Sequence, residues 1–201
     1  MTLFKTIAVA GALALTTAAS AGAATLTYAT TIDAQRGVVN PAKDTPARAN
    51  VNNALGAPDN LFYAMGFGGT AVLGFGETFY QDATVWEVTF EPGLSGDHDE
   101  AVDVFVGSSY LADSFDLSSF TFVGTINNKL AQGGQTLSFS GGPFSYLALV
   151  DVTKTMFPAT SSFDGFDLNA VGVSPVPLPA GGLLLLTAIG GLAAARRRKA
   201  A

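Results

Sequence analysis

The chain has 201 residues, 48% of them hydrophobic and 13% charged, with a net charge of −6, no cysteine and one histidine, His98. That length holds one domain with appendages. The missing cysteines exclude disulfide scaffolds, cysteine nucleophiles, thiolate zinc sites and iron–sulfur clusters, and the lone histidine excludes a multi-histidine metal centre.

Residues 1–23 read as a secretory signal peptide, a short apolar helix in the membrane. Lys5 supplies the positive n-region and residues 7–15 the apolar run. Small residues follow, and cleavage after Ala21 or Ala23 satisfies the required pattern. Export by the Sec machinery and removal by signal peptidase are therefore expected. The run is too short to cross a bilayer comfortably.

Residues 24–174 are the expected mature domain. Sixteen acids and five bases lie between 24 and 176, a net charge of −11. Such a body repels nucleic acid and anionic surfaces and tolerates cations. No stretch sustains helical spacing with caps. Eight short runs rich in Val, Thr, Phe and Tyr predict strands over 25–32, 70–75, 84–90, 102–106, 120–126, 135–140, 146–152 and 166–173. In 84–90, Trp86, Val88 and Phe90 share one face, and Glu87 and Thr89 the other. In 102–106, Val102, Val104 and Val106 oppose Asp103 and Phe105. Phe120, Phe122 and Ile126 fall together. The run 146–152 is apolar on both faces, as a central strand requires. Period-two alternation leaves each apolar face needing a partner sheet, so the class is all-β, a β-sandwich with its aromatics in the core. Residues 33–60 are polar and carry three prolines. Leu55, Gly56, Ala57 and Pro58 are not linker composition, which predicts a long loop wrapped on the sandwich.

The order of these pieces resembles a known family. Asn53, Ala54, Leu55, Gly56, Ala57, Pro58 and Asp59 come first. A glycine turn, the Val85, Trp86, Glu87, Val88 strand and the 102–106 strand follow, and residues 164–171 (DGFDLNAV) close the series. This looks like secreted bacterial relatives of the discoidin and galactose-binding-like jelly roll. Asn169 stands where a second Asp is usual. The resemblance implies a structural Ca²⁺ held by Asn53 and Asp59 from the loop, with Asp167 or Asn169 from the last strand. Ca²⁺ takes six to eight hard oxygens, which carbonyls and carboxylates supply. Asn53 and Asp59 equally suit Asx turns.

Other candidates are weaker. Residues 97–103 (DHDEAVD) are the densest acidic patch. They do not form an EF-hand loop, because the required glycine is absent, and a solvated loop leading into a strand is expected. There is no Gly-x-Ser-x-Gly elbow to pair with His98 and no phosphate-binding glycine loop before a helix. No pair of carboxylates is singled out for glycoside hydrolysis. The expectation is a protein that is not an enzyme, with no catalytic residue assigned.

No charge occurs between Asp167 and Arg196. Pro175, Pro177 and Pro179 alternate and keep that segment extended. A helix over 179–195 would run about 25 Å, near the thickness of a hydrocarbon core. Four cations follow it, Arg196, Arg197, Arg198 and Lys199, and favour a cytoplasmic C-terminus. The motif Val176, Pro177, Leu178, Pro179, Ala180, with a transmembrane helix over 181–195 and a basic tail over 196–199, resembles the VPLPA-CTERM sorting signal, a relative of PEP-CTERM signals. That resemblance makes 175–201 a sorting segment recognised by an exosortase of a Gram-negative bacterium. It implies an inner-membrane-anchored precursor, then delivery to the cell surface or extracellular matrix. The functional expectation is a non-enzymatic module for a glycan or matrix component such as exopolysaccharide. A purely structural envelope or biofilm protein and a glycan-cleaving enzyme stay as alternatives.

Overall fold

The computed structural model describes residues 25–88, 98–128 and 133–175. The signal peptide, the sorting motif, the 181–195 span and the basic tail lie outside the described residues. Among the described residues, no helix is long and apolar enough to cross a membrane. Ala24–Pro177 form one compact unit.

The domain is all-β. Its strands are β1 (Thr27–Tyr28), β2 (Thr31–Gln35), β3 (Tyr63–Ala64), β4 (Thr70–Glu87), β5 (Ala101–Gly107), β6 (Thr121–Asn127), β7 (Gly133–Ser138), β8 (Phe144–Asp151) and β9 (Asp167–Pro175). One helical turn, α1 (Thr153–Met156), follows β8, and a 3-10 turn covers Val51–Ala54. All pairings between named strands are antiparallel.

The long β4 organises the domain. The runs 70–75 and 84–90 are expected as two separate strands, but the chain forms one. Gly76 takes a left-handed φ of 75°, and the register shifts between Gly74 and Phe79, so the strand bends without ending. Before the bend, β4 lies between β2 and β8, and the layer continues through β5 to β6. After the bend it lies between β7 and β9, and β9 also pairs with β1 and β3. Leu73, Val104, Leu147 and Leu149 from the first layer join Val85, Leu168, Val171 and Val173 from the second in one buried cluster. Phe79, fully buried, fills the bend, with ring centroids of Phe75, Phe139 and Phe144 at 5.3, 6.2 and 5.9 Å. Such aromatic packing provides area burial plus favourable edge contacts.

Two face assignments differ from the sequence expectation. Alternation correctly groups Trp86 apart from Glu87, but the inward face is the other one. Ala83, Val85 and Glu87 point inward, while Trp86 is only half-buried. Phe122 does not join Ile126 in the core and is 54% exposed. A register shift between Val104 and Phe105 flips the parity, and Phe122 packs outside against Phe105 at 5.4 Å.

The 33–60 segment is stitched to the sandwich. Arg36 donates to the Ala64 carbonyl at 2.9 Å and forks onto Asp44 with two bonds of 2.8 Å. That fork raises the Arg36 pKa and holds Asp44 below the usual carboxylate range. The backbone N–H groups of Asn40, Gly56 and Ala64 reach Phe163, Ala29 and Arg48.

Candidate functional site

Two features stand out, one buried and one on a sheet face. The buried one is a carboxyl cluster. Glu100 directly precedes β5, and Asp164 and Asp167 flank the turn into β9. They are 2%, 1% and 2% exposed. One ligand oxygen from each lies within 4.8 Å of the others.

Local structure places each member. Asn128 clamps Glu100: its Oδ1 accepts from Glu100 N–H at 2.8 Å and its own N–H reaches the Glu100 carbonyl at 3.1 Å. The Asn128 amide also donates to the His98 carbonyl and, at 3.4 Å, to Glu87 Oε1. The 162–167 turn is fixed by Gly165, whose φ of 69° suits glycine, with its N–H on Ser162 Oγ. Asp151 locks the same turn. Its Oδ2 accepts from Phe166 N–H at 2.9 Å and Thr153 Oγ1 at 2.7 Å; its Oδ1 accepts from Gly68 and Thr153 N–H.

Arg48 closes the cluster. Its guanidinium lies between the rings of Phe62 and Phe163, at 4.8 and 4.7 Å from their centroids. It pairs closely with Asp164 Oδ2 and, at 3.7 Å, with Asp167 Oδ2. The second oxygens, Asp164 Oδ1 and Asp167 Oδ1, have no hydrogen-bond partner, nor has Glu100 Oε1. Burial disfavours charge on all three groups. It pushes Asp167 up to about 9, helped by the charge of Asp164. It drives Glu100 well above the carboxylate range, with Asp167 adding to the rise. Asp164 is raised by burial, which Arg48 opposes.

The residues assigned from sequence divide here. Asp167 is in the cluster. Asn169, 4% exposed and two residues along β9, leaves its Oδ1 unpartnered. Asn53 uses its amide to brace the loop, donating to the Ala47 and Phe62 carbonyls and accepting from Asn50. Asp59 is exposed and accepts from Leu61 N–H in an Asx turn. Glu100 does not sit in a solvated loop as expected; its backbone pairing with Asn128 draws it inside. Arg48 and Asp164 carried no sequence signal for this role. His98 is half-buried, with Nδ1 3.0 Å from Ser161 Oγ.

The second feature is the outer face of the layer formed by β7, the end of β4, β9 and β1. Trp86 lies over small neighbours. A Cβ on Gly134 of β7 would come within 2.6 Å of its indole, and one on Gly172 of β9 within 3.2 Å. Tyr28 sits beside it with a centroid distance of 5.7 Å. Thr84 and Thr136 share a hydroxyl bond of 2.7 Å on the same face. Next to the indole, a groove of about 260 Å³ is lined by Pro58, Asn60, Glu87, Gly133 and Asn169.

No family model and no curated protein matches the chain. Several solved structures resemble it in strand arrangement. One is chitosan-binding module 2 of a chitosanase/glucanase from Paenibacillus sp. IK-5, in complex with chitotriose: 10% identity, TM-score 0.45, covering 69% of this chain and 90% of that one. Another is truncated AlyQ with CBM32 and alginate lyase domains: 15% identity, TM-score 0.47, covering 77% of this chain and 34% of that one. A third is a CBM32 module from Clostridium perfringens in complex with GalNAc-β-1,3-galactose: 14% identity, TM-score 0.44, covering 71% and 94%.

Proposed function

We propose that this chain is an exported, non-enzymatic glycan-binding module, and that it binds through the sheet face around Trp86. The observation that supports this reading is the indole itself. It is half-buried on an outer face and laid over Gly134 and Gly172 rather than packed in the core. A pyranose ring presents a flat array of C–H bonds that stacks on such a surface. The exposed amide of Asn60 at the adjoining groove is suited to sugar hydroxyls, which need donors and acceptors together. An acidic body selects against anionic ligands, so the favoured ligands are neutral or cationic saccharides.

The test is a glycan array followed by isothermal titration calorimetry, which reads the variant as well, since Trp86 is the one tryptophan of the chain. Trp86→Ala is expected to weaken binding at least about tenfold, as loss of a central aromatic anchor does, while the fold survives. Binding that is unaffected by Trp86→Ala would remove this face. Release of reducing ends from exopolysaccharide would make the chain an enzyme instead.

The same proposal assigns export and sorting to the two ends. Val176, Pro177, Leu178, Pro179 and Ala180 are the exosortase recognition motif, 181–195 the anchor, and Arg196, Arg197, Arg198 and Lys199 the stop-transfer cations. Deleting 176–180 alone is expected to leave an uncleaved, membrane-held precursor, seen as a larger band in the membrane fraction. Unchanged processing and surface display would reduce the segment to a plain anchor.

A further inference from the structure

We infer that a hard divalent cation binds between the start of β5 and the turn into β9, on Glu100, Asp164 and Asp167. The resemblance noted above would put Ca²⁺ on the early loop, but the loop side chains it names are committed elsewhere. Asn53 directs its amide hydrogens at two backbone carbonyls, and Asp59 faces solvent in its own turn. The oxygens that converge come from other parts of the chain.

Proximity of carboxylates is not the only argument. Each of the three buried residues also presents an oxygen that no donor reaches: Glu100 Oε1, Asp164 Oδ1 and Asp167 Oδ1. Buried polar atoms are ordinarily satisfied, and leaving one unpaired costs about 1–3 kcal/mol. Three such atoms on groups whose ligand oxygens lie within 4.8 Å of one another form a donor set without a donor. Arg48 explains the arrangement. It takes the Oδ2 atoms of both aspartates and lies against two aromatic rings, while the Oδ1 atoms are left without a partner. Arg48 is thus a positioning residue, and it offsets part of the negative charge around it.

The donor set defines the ion class. Carboxylate oxygens suit Ca²⁺ or Mg²⁺, whereas Zn²⁺ prefers nitrogen and sulfur. Backbone carbonyls or waters would complete the six to eight ligands that Ca²⁺ takes. Such an ion joins the β5 start to the turn before β9, so its first effect is on stability. The inference is independent of glycan binding.

The experiment uses the purified full chain in detergent, stripped with EDTA, and titrates CaCl₂ or MgCl₂ by calorimetry and thermal melting. A saturable heat near one ion per chain is expected. The melting temperature should rise by about 5–10 °C when the ion is 100-fold above Kd. Glu100→Gln and Asp164→Asn should abolish both signals, and Asn53→Ala with Asp59→Ala should keep them. Hydrogen exchange on the unaltered chain needs no variant: added Ca²⁺ should slow exchange at 98–101 and 164–168. No heat and no melting shift at millimolar Ca²⁺ or Mg²⁺ would overturn the site. So would protection confined to 50–60, or a response to Zn²⁺ alone.

Discussion

Asp151→Ala is expected to destabilise the domain by about 3–5 kcal/mol, lowering its melting temperature by on the order of 10 °C. Asp151 is 4% exposed and ends β8. Its two oxygens take the Gly68 and Thr153 amides at 3.1 and 3.2 Å and the Thr153 hydroxyl and Phe166 amide at 2.7 and 2.9 Å. Three chain segments therefore meet on one carboxylate: the turn before β4, the start of α1 and the start of β9. Burial raises its pKa, while the bonds from Thr153 and the amides oppose that rise. Alanine removes every acceptor and leaves buried donors unpaired, which costs more than the bonds themselves contribute. Asparagine keeps one acceptor oxygen and turns N–H groups toward other donors, so its loss falls between the two. Urea unfolding followed by circular dichroism ranks the three proteins. A wild-type midpoint for Asp151→Ala would refute the assignment.

Gly69→Ala carries an effect of similar size for a steric reason. A Cβ there would sit 2.0 Å from the Met65 carbonyl oxygen and 2.8 Å from the Gly37 nitrogen, both backbone atoms that no rotamer can move. Gly37 is the reciprocal partner, since its own Cβ would approach the Phe67 carbonyl oxygen to 2.2 Å. The contact is this close because Gly37 N–H donates to the Met65 carbonyl at 2.8 Å, and Val38 and Phe67 exchange bonds of 3.0 and 2.8 Å. Alanine must break that clasp, a loss of about 3 kcal/mol or more. Gly68→Ala is the comparison. Its Cβ meets nothing within 4 Å, but its φ of 76° costs a β-carbon about 1–2 kcal/mol. Thermal melting should rank wild type above Gly68→Ala, and Gly68→Ala above Gly69→Ala. Reversal of the last two would mean that the clasp opens freely.

Much of the strand pattern was legible because period-two alternation is local. Val102, Val104 and Val106 read as one face and are buried as one. Alternation states which residues share a face, not which face turns inward. At 84–88 hydrophobicity points to Trp86 as the core residue, yet the bent β4 continues the Ala83 and Val85 face to Glu87. The candidate glycan face exists because of that inversion. At Phe122, one bulge undid a correct period.

The candidate cation site was legible only in part. The resemblance pointed to Asp167, and the acidic run at 97–103 drew attention to Glu100, though as a solvated residue. Nothing local links Glu100 to Asp164, because their approach depends on β5 and β9 meeting through the core. Asp59 makes the Asx turn that its residue type suggests, whereas Asn53 makes none and directs its amide at the Ala47 and Phe62 carbonyls.

By itself, the amino-acid order determined an all-β body, its strands and its strong negative charge, because side-chain alternation and composition act over a few residues at a time. Only the tertiary structure decided that Trp86 faces outward, that Glu100 turns inward, and that carboxyl groups distant in sequence share one buried space. Those outcomes depend on the bend in β4 and on long-range antiparallel register, which no short window of sequence contains.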